Sequence, residues 1–321
     1  MVINRQLHHS PYRLRRLACM LAIFTFLLCT SCSEESPTKI DLSNRVSNKI
    51  LQQVDNSSQF NFGVGSMITP SEGYIFYEQL IHYVARNMEK SVKIIDRGTY
   101  DEINKLLEHQ QIDVAFVCGG PYVEGQEKFG LKLLALPEMA HGPIYYSYLI
   151  VPADSQAYKL EDLRDKVFAF TDPKSNTGMI VPSYWLAQLG ETPKSFFSKH
   201  IFTFAHDASI QAVIDKVVDG AAVDSLIWDF ANSKNPEVGV KTRIIKTSEA
   251  FGIPPLVVRP DLPEETRIRL QEILLTMHED PEGKAILDGM LIKRFVKGKD
   301  SDYNTIRSMR KFVAERRAES P

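Results

Sequence analysis

The chain has 321 residues, 44% hydrophobic and 24% charged, an ordinary globular composition with length enough for two lobes. Its 38 basic and 40 acidic side chains give a formal net charge of −2; the first 31 residues hold four arginines and no acid, so the remainder stands near −6. That balance excludes non-specific nucleic-acid binding, which needs a positive field.

The N-terminal stretch "RLRRLACMLAIFTFLLCTSC" sets Arg13, Arg15 and Arg16 before an apolar run from Leu17 to Leu28, then small residues before Cys32. A charged region, a short apolar region and a processing site make residues 1–31 an export signal. The run falls short of the roughly 20 residues that span a bilayer. "LLCTSCSEES" resembles the lipobox of bacterial lipoproteins. The resemblance implies lipidation at Cys32, hence a membrane anchor, although Cys29 stands where an aliphatic residue is commoner. Secretion without lipid is the alternative, and twin-arginine export fits the residues after Arg15–Arg16 poorly. Polar "SEESPTKIDLSNRVSN" reads as a tether within residues 32–57. Of four cysteines only Cys32 and Cys118 survive processing, so no disulfide framework is expected. No Cys/His cluster has metal-ligand spacing, and no metal or cofactor is expected.

Apolar β-like runs then alternate with helical patterns. "FNFGVGSM" reads as a strand ending in a glycine loop, followed by a helix with Tyr77, Leu80 or Ile81, Val84 and Met88 on one face. "SVKIID" is a strand, and "TYDEINKLLEHQ" a helix with Thr99 as N-cap. "IDVAFV" is a strand running into a loop, "CGGPYVEG"; "LKLLALP" and "IYYSYLIVP" are further strands. A second series follows: strand "VFAFT", loop "DPKSNTG", helix "GMIVPSYWLAQLG", strand "KHIFTF", and a helix starting at Asp207–Ser209. "AAVDSLIWDFAN" turns from strand to helix, "TRIIKTSE" and "PPLVVRP" are strands, and the C-terminus is helical. Such alternation predicts an α/β fold with mostly parallel sheets covered by helices, ligands binding at the carboxyl ends of strands.

Ser175, Asn176 and Thr177, before Gly178, stand where a strand hands over to a helix. A helix N-terminus offers unpaired N–H groups and partial positive charge, hydroxyl and amide side chains add neutral donors, and glycine admits close approach. The loop suits a small oxyanion; turn-and-cap chemistry alone accounts for the same composition. It lacks the spacing of a nucleotide-hydrolysing phosphate loop. Cys118 directly follows "VAFV" and reads as a buried strand-end thiol rather than a nucleophile based on His206, so no enzyme is expected.

Read together and in order, "GTYDEINKLLEHQQIDVAFVCGGPYV", "DPKSNTGMIVPSYW", "AHDASIQAVIDKVVDGAAVDSLIWD" and "PPLVVRPDLPEETRIRLQEILLTMHEDPEGKAIL" resemble the periplasmic phosphonate-, phosphite- and phosphate-binding (PhnD-like) proteins of ABC importers over about residues 58–310. The resemblance implies a type II periplasmic binding protein fold, two α/β lobes with a hinged interlobe cleft: residues 58–149 and 249–321 in the first lobe, 150–248 in the second. It implies a monomeric, lipid-anchored receptor in the periplasm or at the outer cell surface, which passes a small phosphorus oxyanion to an ABC permease. A membrane sensor kinase as partner is the alternative. The implied pocket holds the anion with Ser175, Asn176 and Thr177, where Asn176 replaces a hydroxyl, together with Tyr100, Tyr145 and His206. Tyr100 also reads as a helix-start residue, Tyr145 as strand core and His206 as a locally satisfied histidine. His206 is expected to donate a hydrogen bond and to charge near pH 6.5. Asp224, otherwise a helix N-cap, is expected to accept a hydrogen bond from a protonated phosphoryl group, because a carboxylate only accepts. Leu226 and Pro254 stand where the resemblance implies that relatives binding aminoalkylphosphonates hold the amine with carboxylates, which favours phosphite, phosphate, methylphosphonate or an unrelated small anion.

Overall fold

The computed structural model describes residues 59–65 and 74–319. The export signal, Cys32 and the tether lie outside the described residues. A six-stranded sheet has the order β13-β4-β12-β3-β1-β2, from β1 (Gln59–Val64), β2 (Ser91–Asp96), β3 (Val114–Phe116), β4 (Lys132–Glu138), β12 (Leu256–Val258) and β13 (Arg294–Val296). A five-stranded sheet has the order β10-β6-β9-β7-β8, from β6 (Ser147–Pro152), β7 (Val167–Phe170), β8 (Lys199–Phe202), β9 (Gly220–Asp224) and β10 (Thr242–Thr247). Between them the chain crosses twice, through β5 (Ile144–Tyr145) and β11 (Phe251–Gly252), which pair antiparallel with each other.

Each sheet has a parallel trio, β1, β2 and β3 in one and β7, β8 and β9 in the other, flanked by antiparallel strands. Central strands β3 and β9 are buried along their whole length, as helices on both sheet faces require. One hydrophobic cluster runs from Leu107 and Ile112 in the first lobe through Tyr145, Phe251 and Tyr303 to Phe168 and Phe170 in the second. The C-terminal helix Asn304–Glu319 packs between two other helices: Phe312 meets Tyr184 of Val181–Gln188 edge-on at 5.2 Å, while Arg310 reaches Glu127 of Gly119–Phe129 at 3.1 Å.

Several local expectations change. "CGGPYVEG" is not a loop but the start of a helix, Gly119–Phe129, with Cys118 at its N-cap. Two glycines and a proline read as turn residues, yet proline is tolerated in a first helical turn. Here contact requires the second glycine and crowds the first. A Cβ at Gly119 would lie 2.6 Å from Ile306 Cδ1, and one at Gly120 would lie 2.1 Å from the Lys174 carbonyl oxygen. "IYYSYLIVP" breaks at Tyr146 into β5 and β6, because the chain changes sheets there. The helix after Gly178 begins as a wide π-type turn, Asn176–Ile180, before Val181–Gln188. The helix expected from Asp207–Ser209 starts at His206, one residue earlier. Thr99 does cap the helix Tyr100–Glu108, in a reciprocal box: Glu102 N–H donates to Thr99 Oγ1 at 3.3 Å and Thr99 N–H to Glu102 Oε2 at 3.1 Å.

Candidate functional site

β7 ends at Phe170, and the chain turns through Thr171–Lys174 into the wide helical turn. Asp172 fixes that turn by accepting from Lys174 N at 2.7 Å. Ser175 Oγ accepts from Gly178 N at 3.0 Å, the N-cap bond that its position anticipates. Ser147 Oγ, on β6 of the same sheet, donates to the Thr177 carbonyl at 2.7 Å and pins the loop. Ser175, Asn176 and Thr177 are all fully buried.

The three small polar side chains therefore have different tasks. Ser175 caps. Asn176 reaches across the lobes: its Nδ2 donates to Tyr145 Oη at 3.0 Å, and its backbone N–H points at Cys118 Sγ at 3.4 Å. The Thr177 hydroxyl has no protein partner, although burial makes an unpaired polar group costly. The Tyr100 hydroxyl, His206 Nε2 and Asn176 Oδ1 are buried without protein partners in the same way.

The structure fixes the roles of these atoms. Asp224 N–H donates to His206 Nδ1 at 2.9 Å, so Nδ1 is an acceptor and the proton of the neutral ring sits on Nε2. His206 is thus an outward donor. Burial lowers its pKa to about 3, so the expected charge near pH 6.5 is not realised. Burial, then Cys118, Asp172 and Asp224, raises Tyr100 well above the usual phenol range, and burial, then Cys118 and Asp224, does the same for Tyr145. Both remain O–H donors. The side chains offered by Tyr100, Thr177 and His206 are all neutral donors.

Asp224 ends β9 and caps the helix Ser225–Lys234, accepting from Leu226 N at 2.8 Å. Burial pushes its carboxyl up to about 7, against the backbone N–H groups of Leu226 and Ile227. Its charge adds to the upward pKa shifts of Tyr77, Tyr100, Tyr145 and Cys118, each led by burial.

Both lobes supply the site, and polar contacts join them. Tyr100 N donates to Asp172 Oδ2 at 3.1 Å. Lys174 bonds to Asp101 and, at 2.8 Å, to Glu124 Oε1. Burial opposes the Lys174 charge, yet these two carboxylates outweigh it and raise the ammonium's pKa. Cys118 is buried; burial pushes its thiol up, and its polar neighbours are Asn176 N and, at 3.8 Å, Tyr145 Oη. These features do not activate a nucleophile.

All seven residues picked from the sequence are thus buried at or beside the interlobe contact, with Tyr145 and Asn176 spent largely on each other. The sequence reading passed over Tyr77, Ser147, Thr171, Asp172 and Lys174 as site residues. Asp-Pro before Lys174 signals a turn, but the cross-lobe bonds of Asp172 and Lys174 depend on packing that no local pattern encodes. Leu226 and Pro254 line an apolar chamber beside Asp224, together with Tyr77 and Phe116. Among the described residues no group of three or more His, Cys, Asp or Glu side chains could hold a metal ion.

The family model for the ABC transporter, phosphonate, periplasmic substrate-binding protein matches residues 62–303. The phosphonates-binding periplasmic protein of Escherichia coli (strain K12) is 24% identical over 263 residues, covering 80% of this chain and 78% of that protein. The crystal structure of a binding protein component of an ABC phosphonate transporter from Pseudomonas aeruginosa superposes with a TM-score of 0.77 at 23% identity, over 82% of this chain and 89% of that one. PhnD1 from Prochlorococcus marinus (MIT 9301), solved with methylphosphonate, gives 0.73 at 20% identity, over 81% and 99%. The fold is that of a type II periplasmic binding protein, two α/β lobes about a hinged cleft. The chain belongs to the phosphonate periplasmic substrate-binding protein family of ABC transporters.

Proposed function

We propose that this chain is the lipid-anchored receptor of an importer, which captures a small phosphorus oxyanion by closing two lobes and presents the closed form to a permease. In this reading residues 1–31 are removed, Cys32 carries the lipid, residues 32–57 form the tether, and the monomeric receptor works in the periplasm or at the outer cell surface. The first lobe comprises 58–149 and 249–321, the second 150–248. The observation that carries the reading is the set of buried, unpartnered polar atoms on Tyr100, Thr177 and His206, drawn from both lobes. Left unpaired, each costs about 1–3 kcal/mol; bonded to a phosphoryl oxygen, each becomes a charge-assisted hydrogen bond.

Neutral donors serve the anion better here than cations would. They hold a dehydrated oxyanion without adding a buried positive charge that itself needs solvation. Binding and closure are one process, because the two half-sites meet only when the lobes shut. Asp224 then accepts a hydrogen bond from a P–OH group, since an ionised carboxylate only accepts. Sulfate, with no proton to offer near neutral pH, is disfavoured. The methylphosphonate seen in the Prochlorococcus relative supports the ligand class.

Calorimetric titration of the full-length protein with methylphosphonate, phosphite, phosphate and sulfate tests this. Binding of at least one phosphorus acid is expected, with sulfate at least ~100-fold weaker, and Thr177→Ala should weaken binding by roughly 10- to 100-fold, the loss of one hydrogen bond to a charged group. Equal affinity for sulfate, or an unaffected Thr177→Ala variant, would remove the basis of the reading.

A further inference from the structure

Beside the proposed oxyanion site the described residues leave a chamber of about 90 Å³. One water requires only ~10–15 Å³ measured in this way, so the space exceeds a methyl group. Both lobes build it. Tyr77 and Phe116 come from the first, Leu226, Ile227 and Phe230 from the second, and Pro254 follows the hinge strand β11. Across it Phe76 meets Phe230 edge-on, with ring centroids 6.3 Å apart. Asp224 lines the chamber, and its N–H donates to His206 Nδ1 at 2.9 Å, so the chamber lies one residue from the His206 donor of the proposed oxyanion site.

This inference rests on the oxyanion reading above. We infer that the physiological ligand is an organophosphonate whose substituent is uncharged and apolar and larger than methyl, the substituent filling the chamber between Tyr77, Phe116, Leu226 and Pro254. Phosphite and phosphate would leave these walls without a partner. A terminal ammonium would lie against them with no carboxylate at Leu226 or Pro254 to pair with it, and an unpaired charge in an apolar site is strongly disfavoured. Asp224 does not substitute for that pair, since its carboxyl already accepts from Leu226 N and is committed to the phosphoryl end. A propyl chain extends methylphosphonate by two methylenes, whose burial is worth about a fifteen-fold gain in affinity.

The test is a matched ligand pair on the full-length protein. n-Propylphosphonate and 2-aminoethylphosphonate have the same number of heavy atoms and differ by a methyl against an ammonium. Propylphosphonate is expected to bind at least ~10-fold more tightly than methylphosphonate and at least ~100-fold more tightly than 2-aminoethylphosphonate. Leu226→Glu should shift the ratio of the last two by at least ~10-fold towards the amine. If methylphosphonate binds and propylphosphonate binds no better, or if the amine equals the propyl ligand, the chamber is not the substituent site, while the oxyanion reading stands. If no phosphorus acid binds, the oxyanion reading fails and this inference with it. The ranking in the unaltered protein decides the matter even if Leu226→Glu does not fold.

Discussion

A buried aspartate beside donors proposed to hold an anion looks misplaced until its proton is counted. Burial raises Asp224 to about 7, far above the ~3.9 of a free side chain. A group whose pKa is raised on folding contributes stability that is present below the unfolded value and is lost as pH climbs through the folded one. Asp224 therefore destabilises the ligand-free protein progressively between about pH 4 and pH 7. Asp224→Asn keeps an N-cap of equal quality and removes the ionisation. The variant and the unaltered protein should melt alike near pH 4, and the variant should melt higher at pH 8, by the equivalent of a few kcal/mol. Thermal melts across that range check it; a gap independent of pH would show that Asp224 is not held as a buried carboxyl. His206 acts in the opposite sense. Its folded value of about 3 lies below the free value, so its contribution is intact at neutral pH and is lost only as pH falls from about 6.5 through 3.

The helix Gly119–Phe129 brings its backbone against that of the loop before Ser175. A Cβ at Gly120 would stand 2.1 Å from the Lys174 carbonyl, a backbone atom that cannot swing away, whereas one at Gly119 would meet only the flexible tip of Ile306. Gly120→Ala should therefore obstruct closure without harming the helix, whose propensity the alanine improves by about 1 kcal/mol. The expected outcome is a loss of roughly ten-fold or more in methylphosphonate affinity, with the melting temperature of the ligand-free protein not lowered; binding equal to the unaltered protein would mean that the lobes need not approach this closely. The same glycines show where the sequence was opaque. Gly-Gly-Pro has the composition of a loop, and only the approach of Lys174 and Ile306 explains why glycine sits inside a helix. By contrast, strand–helix alternation was legible because β3 and β9 are short apolar runs buried on both faces, bounded by caps such as Thr99 and Asp224. The candidate loop was legible through its small polar side chains, but the division of labour within it was not. That Asn176 would bond Tyr145 while Thr177 stayed unpartnered follows from a wide π-type turn, which no periodicity announces.

At the scale of the molecule, two crossing strands and one long helix join lobes whose facing surfaces carry Lys174 against Asp101 and Glu124, and Asn176 against Tyr145 and Cys118. Partly exposed ion pairs of this kind contribute about 0.2–1 kcal/mol each, enough to bias closure and too little to enforce it. In the proposed function ligand supplies the rest. Cys118 reports the state of the cleft, because its thiol is 1% exposed with the lobes in contact. Its alkylation by N-ethylmaleimide, followed by mass spectrometry of the peptide, should slow at least ~10-fold at saturating methylphosphonate, since only the open population reacts. A rate indifferent to ligand would separate binding from closure. The account as a whole depends on neutral donors of both lobes converging on one anion. A crystal structure of the protein grown with methylphosphonate tests that most directly: the phosphoryl oxygens are expected within about 2.5–3.2 Å of Tyr100 Oη, Thr177 Oγ1 and His206 Nε2. A phosphonate bound elsewhere, with those three atoms still unpartnered or turned towards other protein groups, would contradict it.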